Sequence, residues 1–331
     1  MITLDGLRLE EVFTGADQRL MIEELGVKEP DVLVQRYIRP TPQEQRAALM
    51  PFLWSRVGKD GWIAGDVLQD SIVKVTNGLY FSYPGYNELL TGRADARVNS
   101  NAKRYNDNLT VLEWLLGQPE IERVAAYCSW DVFPFIINDH RSQVYVNAGW
   151  TPLTVGVPEV IAELNFAAEN LFHEWEGVRY DAFTTAGALQ EMKQQAPRVL
   201  YVALGETDDW AHAGRYDRYL LSAQQNDFFI SQLWNATQGM DAYRDNTTFI
   251  VTSDHGRGDG RNGWKSHSLT LPGSERIWVA AFGAGVQRLG IDQGGKYEQA
   301  QIAATVANAI GYDFAASAKE IAPPLPIFKP Q

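Results

Sequence analysis

Three of the chain's five histidines, His212, His255 and His267, lie within 56 residues, each near a carboxylate or a glycine turn. His212 follows Asp208 by four positions, which places carboxylate and imidazole on one face of a helical turn. His255 directly follows Asp254, and Gly256 permits a sharp turn after a strand, so both side chains can face one ion. Asp5 closes a further apolar run. Carboxylate oxygen and neutral imidazole nitrogen suit a zinc-like divalent cation at about 2.0–2.2 Å. Taken singly, an Asp-x-x-x-His is a surface pair and an Asp-His is a cap or turn. Together with Asp5 at another strand end, six candidate ligands make two sets of three. A nucleophile is the remaining requirement. Ser82, in Ser82-Tyr83-Pro84-Gly85, sits just before a Pro-Gly turn and a helix. A hydroxyl at a helix N-terminus between two cations loses its proton more readily. The plain alternative for Ser82 is an N-cap serine.

Positioning such residues requires strands that end where they stand. Residues 2–4 form a strand stub, 123–128 a short strand-like run and 198–204 (RVLYVAL) a nearly continuous apolar run of the buried parallel kind. Residues 247–252 (TTFIVT) and 277–282 are also strands. Between them, 44–57, 108–116, 158–172, 182–195, 216–237 and 299–310 have helical spacing. Asn108 or Asp107 is the N-cap of the second, and Gly311 closes the last. This alternation predicts an α/β fold: a mostly parallel central sheet with helices on both faces. Ligands of such sheets bind at the carboxyl ends of strands, where Asp5, Asp208 and Asp254 fall. No linker divides the chain, so residues 1–331 are expected as one large domain. A small insertion is expected near 130–180 and a Pro-rich surface tail over 321–331.

The chain has 331 residues, 29 Lys plus Arg and 41 Asp plus Glu, hence a formal net charge of −12. It is 45% hydrophobic and 21% charged, which excludes global disorder. An acidic chain without a long Lys/Arg run disfavours nucleic acid as a partner. One cysteine, Cys128, excludes a disulfide framework and a multi-cysteine zinc site. No run reaches the ~18 apolar residues needed to span a bilayer. No signal peptide is visible, but Met1-Ile2-Thr3-Leu4 looks like a strand cut close to its start. Localisation therefore stays open: periplasmic or secreted with a leader removed, otherwise cytoplasmic. Oligomeric state is not legible. Arg257-Gly258-Asp259 is taken as an incidental tripeptide. His140 and His173 are taken as structural or surface residues, and Trp130, Trp150 and Trp210 as a candidate aromatic wall.

Asp5-Gly6-Leu7-Arg8, Ser82-Tyr83-Pro84 with Leu90-Thr91-Gly92, Asp208-x-x-x-His212, Asp254-His255-Gly256 and Gly263-Trp264-x-x-His267 occur in that order. The set resembles the alkaline phosphatase superfamily, closest to its type I phosphodiesterase/nucleotide pyrophosphatase and sulfatase-like branches. The resemblance runs from residue 5 to about 310. It implies an alkaline phosphatase-like fold and two divalent ions, commonly zinc, with manganese as the alternative. Carried over, Asp5, Asp254 and His255 bind one ion, and Asp208, His212 and His267 the other. Ser82 bridges the two, attacks phosphorus and forms a covalent phosphoserine. Asn101 stands where the phosphodiesterase branch holds a phosphoryl oxygen, with Asn99 as its rival. The implied activity is hydrolysis of a small phosphate ester, as phosphodiesterase or phosphatase. The alternatives are sulfate, phosphonate or phosphoglycerol-transfer chemistry on the same scaffold, or a non-catalytic relative that binds metal or a phospholigand. Threonine is the commoner nucleophile of the phosphodiesterase branch. Formylglycine sulfatases need an arginine where this chain has Tyr86, which argues against that chemistry.

Overall fold

The computed structural model describes residues 1–329; Pro330 and Gln331, the end of the expected surface tail, lie outside the described residues. Its strands are β1 (Ile2–Leu4), β2 (Gly61–Ala64), β3 (Ile72–Lys74), β4 (Val124–Cys128), β5 (Tyr145–Ala148), β6 (Val199–Leu204), β7 (Thr248–Thr252), β8 (Arg276–Ile277), β9 (Val279–Gly283), β10 (Gly290–Ile291) and β11 (Lys296–Glu298). Eight of them form one sheet in the order β10-β2-β9-β7-β1-β6-β4-β5, and β11-β3-β8 form a small second sheet. In the large sheet only β9 runs antiparallel to its neighbours, β2 and β7. The expected mostly parallel α/β sheet is therefore the one observed. The short first strand lies at its centre, with Ile2 opposite Val202 of β6 and Val251 of β7.

Burial on both faces explains the continuous apolar run of β6. Val202 and Leu204 face a core layer with Leu220, Ile230 and Leu233 of helix Tyr216–Gly239. Tyr201 and Ala203 face the opposite layer with Leu89 and Leu90 of helix Ser82–Thr91 and Ile302 of helix Gln301–Asn308. Period-two side chains divided between two apolar layers define a doubly covered strand.

Several local expectations are corrected. The helix expected over 44–57 is two, Pro42–Leu49 and Pro51–Asp60, because Pro51 cannot continue the first and starts the second. The helix expected over 108–116 begins at Val111, and its cap is Thr110, whose hydroxyl accepts from the Glu113 N–H at 3.2 Å. Asn108 is instead buried in a side-chain network with Asn87 and Asp95. The stretch near 130–180 contributes β5 at the sheet edge and helix Pro158–Asn170, none of whose residues is buried. In the tail, Leu325 and Ile327 pack into the core, because apolar side chains gain by leaving water. No helix among the described residues is long and apolar enough to cross a membrane.

Candidate active site

Three neighbouring parallel strands end side by side, and five of the six candidate ligands follow directly from their ends. Asp5 is the first residue after β1, and its N–H continues the ladder to the Leu204 carbonyl at 2.9 Å. Gly6 then turns at φ +57°; its N–H donates to Asp254 Oδ1 at 3.1 Å. A Cβ on Gly6 would lie 2.8 Å from Asp208 Oδ1 and 3.1 Å from the His255 ring, so only glycine fits between the clusters. After β6, helix Glu206–His212 carries Asp208 and His212 on one face, with His212 Nε2 3.2 Å from Asp208 Oδ2. After β7, the Ser253–Gly256 turn is clamped by buried Gln299, whose Nε2 donates to the Ser253 and Asp254 carbonyls at 3.2 and 2.6 Å.

Asp254 and His255 are both 0% exposed, and Asp5 is 5% exposed. His255 Nε2 lies 3.4 Å from Asp5 Oδ1, 3.4 Å from Asp254 Oδ2 and 3.7 Å from Asp208 Oδ1. His267 arrives on the loop after helix Gly260–Gly263. Its ring stacks on that of His255 at 3.7 Å, and its Nε2 lies 3.0 Å from His212 Nε2. His255 Nδ1 bonds the Gly256 carbonyl at 2.9 Å, and His267 Nδ1 bonds the Tyr80 carbonyl at 2.8 Å. A carbonyl can only accept, so in each bond Nδ1 carries the proton and Nε2 presents its lone pair to the site.

Ser82 opens helix Ser82–Thr91 and is 6% exposed; its Oγ lies 3.4 Å from His255 Nε2. The loop before it is held from two directions. Glu88, on the same helix, accepts from Thr76 and Asn77 N–H groups, and Asn77 Oδ1 accepts from Leu79 and Tyr80 N–H at 2.9 and 3.0 Å. Tyr80 stands at φ +57°, a strained conformation for an aromatic residue. Asn101 is exposed and accepts from the Tyr83 N–H at 3.0 Å, which places it beside Ser82; Asn99 is exposed on the loop that follows Arg97.

Two carboxylate oxygens, Asp5 Oδ1 and Asp254 Oδ2, are buried and have no hydrogen-bond partner among the described residues. Burial, with repulsion from Asp208 and Asp5 respectively, pushes the Asp5 and Asp254 carboxyls well above the usual range. Burial also opposes ionisation of Asp208. Arg257, His212 and His267 outweigh it and hold that carboxyl well below the usual range. Burial and then the neighbouring His255 push His267 down to about 2, so it stays a neutral ligand. Buried, unpartnered anionic oxygens beside imidazole lone pairs are costly unless a cation joins them. The groups Asp5/Asp254/His255 and Asp208/His255/His267 each bring three ligand atoms within 4.8 Å of one another. The donor set therefore fits divalent cations. His212 enters through its contacts with Asp208 and His267, and is itself exposed.

Three residues here escaped the sequence reading of the site. Tyr86 donates to Asp5 Oδ2 at 2.8 Å and leaves Oδ1 to face the cluster; its place four residues after Ser82 was the available signal. Gln299 had no signal. Arg257, read only as part of an incidental tripeptide, is 1% exposed and bonds Asp208 and the Gly6 carbonyl, which removes it from any surface motif. Of the candidate aromatic wall, Trp130 packs on Phe133 and Trp150 stacks on His173 at 3.5 Å. Trp210 contacts Trp175 and Glu206, on the opposite face of its helix from Asp208 and His212. His140 is exposed beside Tyr105.

No model of a known protein family matches the chain, and no curated protein does. Solved structures do. A variant of the alkaline phosphatase PafA aligns over 99% of this chain and 98% of its own, with 10% identity and a TM-score of 0.61. A protein in the alkaline phosphatase superfamily from Vibrio parahaemolyticus aligns over 100% of this chain and 69% of its own, with 15% identity and a TM-score of 0.55. The phosphonate monoester hydrolase of Agrobacterium radiobacter covers 79% of this chain and 69% of its own, with 14% identity and a TM-score of 0.50. With three strand ends converging on a carboxylate–imidazole centre beside Ser82, the first residue of its helix rather than its cap, this chain has the fold of the alkaline phosphatase superfamily.

Proposed function

We propose that the chain is a metal-dependent hydrolase of phosphoric esters that works through a covalent phosphoserine at Ser82. The observation that carries this reading is the position of the Ser82 hydroxyl. It lies at a helix N-terminus, 3.4 Å from a His255 nitrogen shared between two carboxylate clusters. Asp5, Asp254 and His255 would hold one divalent ion and Asp208, His212 and His267 the other, zinc by the mixed oxygen–nitrogen donor set. Such ions, when bound, supply Lewis-acid stabilisation of developing negative charge and lower the pKa of a coordinated hydroxyl.

The chain's own residues do the rest. Ser82 Oγ forms a bond to phosphorus as the ester P–O bond breaks and the alcohol leaves. Water then cleaves the phosphoseryl bond and restores the hydroxyl, so one difficult displacement becomes two easier ones. The first turn of helix Ser82–Thr91 favours the anionic phosphoryl group at its N-terminus. Asn101 Oδ1 is occupied by the Tyr83 N–H, which leaves its Nδ2 as donor to a phosphoryl oxygen. Tyr86 occupies the arginine position of the formylglycine sulfatase pattern and is committed to Asp5, which supports phosphate over that sulfatase chemistry. The fold shared with the Agrobacterium radiobacter enzyme makes phosphonate esters the second substrate class to assay.

The test is turnover of aryl phosphate, bis-aryl phosphate, aryl phosphonate and aryl sulfate by chelator-stripped and zinc-reloaded protein. A phosphate ester should be cleaved only by the reloaded protein. Ser82→Ala should lower the rate by about three orders of magnitude or more. Turnover that survives both chelation and Ser82→Ala would eliminate the proposal.

A further inference from the structure

We propose that Arg257 is a built-in counter-cation of the Asp208–His212–His267 cluster, and that it makes this cluster the weaker and later-filled of the two cation sites. The inference rests on the two-cation reading above and concerns the order in which its sites load.

The two clusters are not equivalent. In the Asp5/Asp254/His255 cluster, Asp5 Oδ1 and Asp254 Oδ2 have no partner among the described residues. The groups that bond these two carboxylates are neutral: the Tyr86 hydroxyl on Asp5 Oδ2 and the Gly6 N–H on Asp254 Oδ1. In the other cluster, Asp208 Oδ1 is taken by the Arg257 guanidinium. That same oxygen lies 3.6 Å from His267 Nε2 and 3.7 Å from His255 Nε2, so it is the one turned toward the imidazoles.

Arg257 is not a loose side chain that swings away when an ion arrives. It is 1% exposed, and two main-chain carbonyls also hold it: Nε donates to Gly6 O at 3.1 Å and Nη2 to Asp208 O at 3.0 Å. Its backbone follows the Gly256 turn, whose N–H bonds the Ser274 carbonyl at 2.9 Å. Two of its three acceptors thus persist whatever the Asp208 carboxylate does. An incoming divalent ion must share Asp208 with a fixed positive charge, and the two repel at short range in a partly buried site. The first cluster feels the same charge only at longer range, because Arg257 bonds neither Asp5 nor Asp254, so the penalty there is smaller.

The experiment is a zinc titration of the chelator-stripped full chain against a competing chromophoric chelator. Wild type should show a tight and a weak class of site, separated by about tenfold or more. His212→Ala should remove the weak class and Asp254→Asn the tight one. Arg257→Met should tighten the weak class by about tenfold and narrow the separation, whereas Arg257→Lys should keep it wide. An unchanged separation in Arg257→Met overturns the proposal. So does loss of the tight class in His212→Ala, a result that requires no change at Arg257 and stands even if Arg257→Met does not fold. If wild type binds no zinc at all, the two-cation reading itself falls; if it binds two ions without these differences, only the role of Arg257 does.

Discussion

At the scale of single residues, the centre depends on atoms that orient the ligands without being ligands. Tyr86 is the clearest. Its hydroxyl holds Asp5 Oδ2 and so aims Oδ1 at the cluster. Removing an outer-shell donor of this kind typically costs about 10–100-fold in metal affinity or activity. Tyr86→Phe should therefore weaken zinc at the Asp5/Asp254/His255 cluster by roughly that factor, read by chelator competition. Unchanged affinity would mean that Tyr86 only fills space. This residue was visible in the sequence as a departure from a family pattern, but its partner was not. A hydrogen bond between residues 5 and 86 exists only because β1 and helix Ser82–Thr91 meet. Asp208 and His212 differ in this respect, because their pairing follows from helical spacing alone.

At the scale of elements, the nucleophile's helix is pressed onto the turn that carries Asp254. Gly85 sits at the contact, where an alanine Cβ would lie 2.5 Å from the Asp254 carbonyl. Gly85→Ala should cost about 1–3 kcal/mol by overpacking, despite an intrinsic helix advantage of about 1 kcal/mol for alanine. Turnover should fall further than stability, because Ser82 is displaced from His255; a stabilised, fully active variant would refute the close contact. The same helix anchors the preceding loop through Glu88, which is 0% exposed and which burial pushes up to about 6 from 4.5. The folded state keeps this proton to higher pH than the unfolded chain does. Its contribution is then complete below about pH 4.5 and is lost as pH rises through about 6, a change of about 2 kcal/mol. Urea unfolding of the cation-free protein should show wild type losing about that much relative to Glu88→Gln between about pH 4 and about pH 7. A constant difference would show that the loop's hydrogen bonds outweigh desolvation. Element types were legible where apolar periodicity was long, as in β6 and helix Tyr216–Gly239. They were not legible in β2 and β5, four-residue strands whose partners lie far along the chain.

At the scale of the whole molecule, the centre concentrates buried negative charge where the sheet's middle strands end, and cation binding should stabilise the entire fold. At free zinc about 100 times the dissociation constant, linkage gives about 2.7 kcal/mol. Chelation should thus lower the melting temperature by several degrees, and Asp254→Asn should abolish most of the difference. A melting temperature indifferent to chelator would leave the orphaned Asp5 and Asp254 oxygens without their cation. The net charge of −12 says nothing about this, because the site's field is local. The residue types, their order and the strand–helix alternation are local properties of the chain, so the α/β class and a list of candidate ligands could be read without coordinates. Which oxygen faces which imidazole, that Arg257 holds Asp208, and that His255 stands between both clusters depend on long-range strand order. That order is set by how β1, β6 and β7 bury their faces together, and no spacing along the chain encodes it.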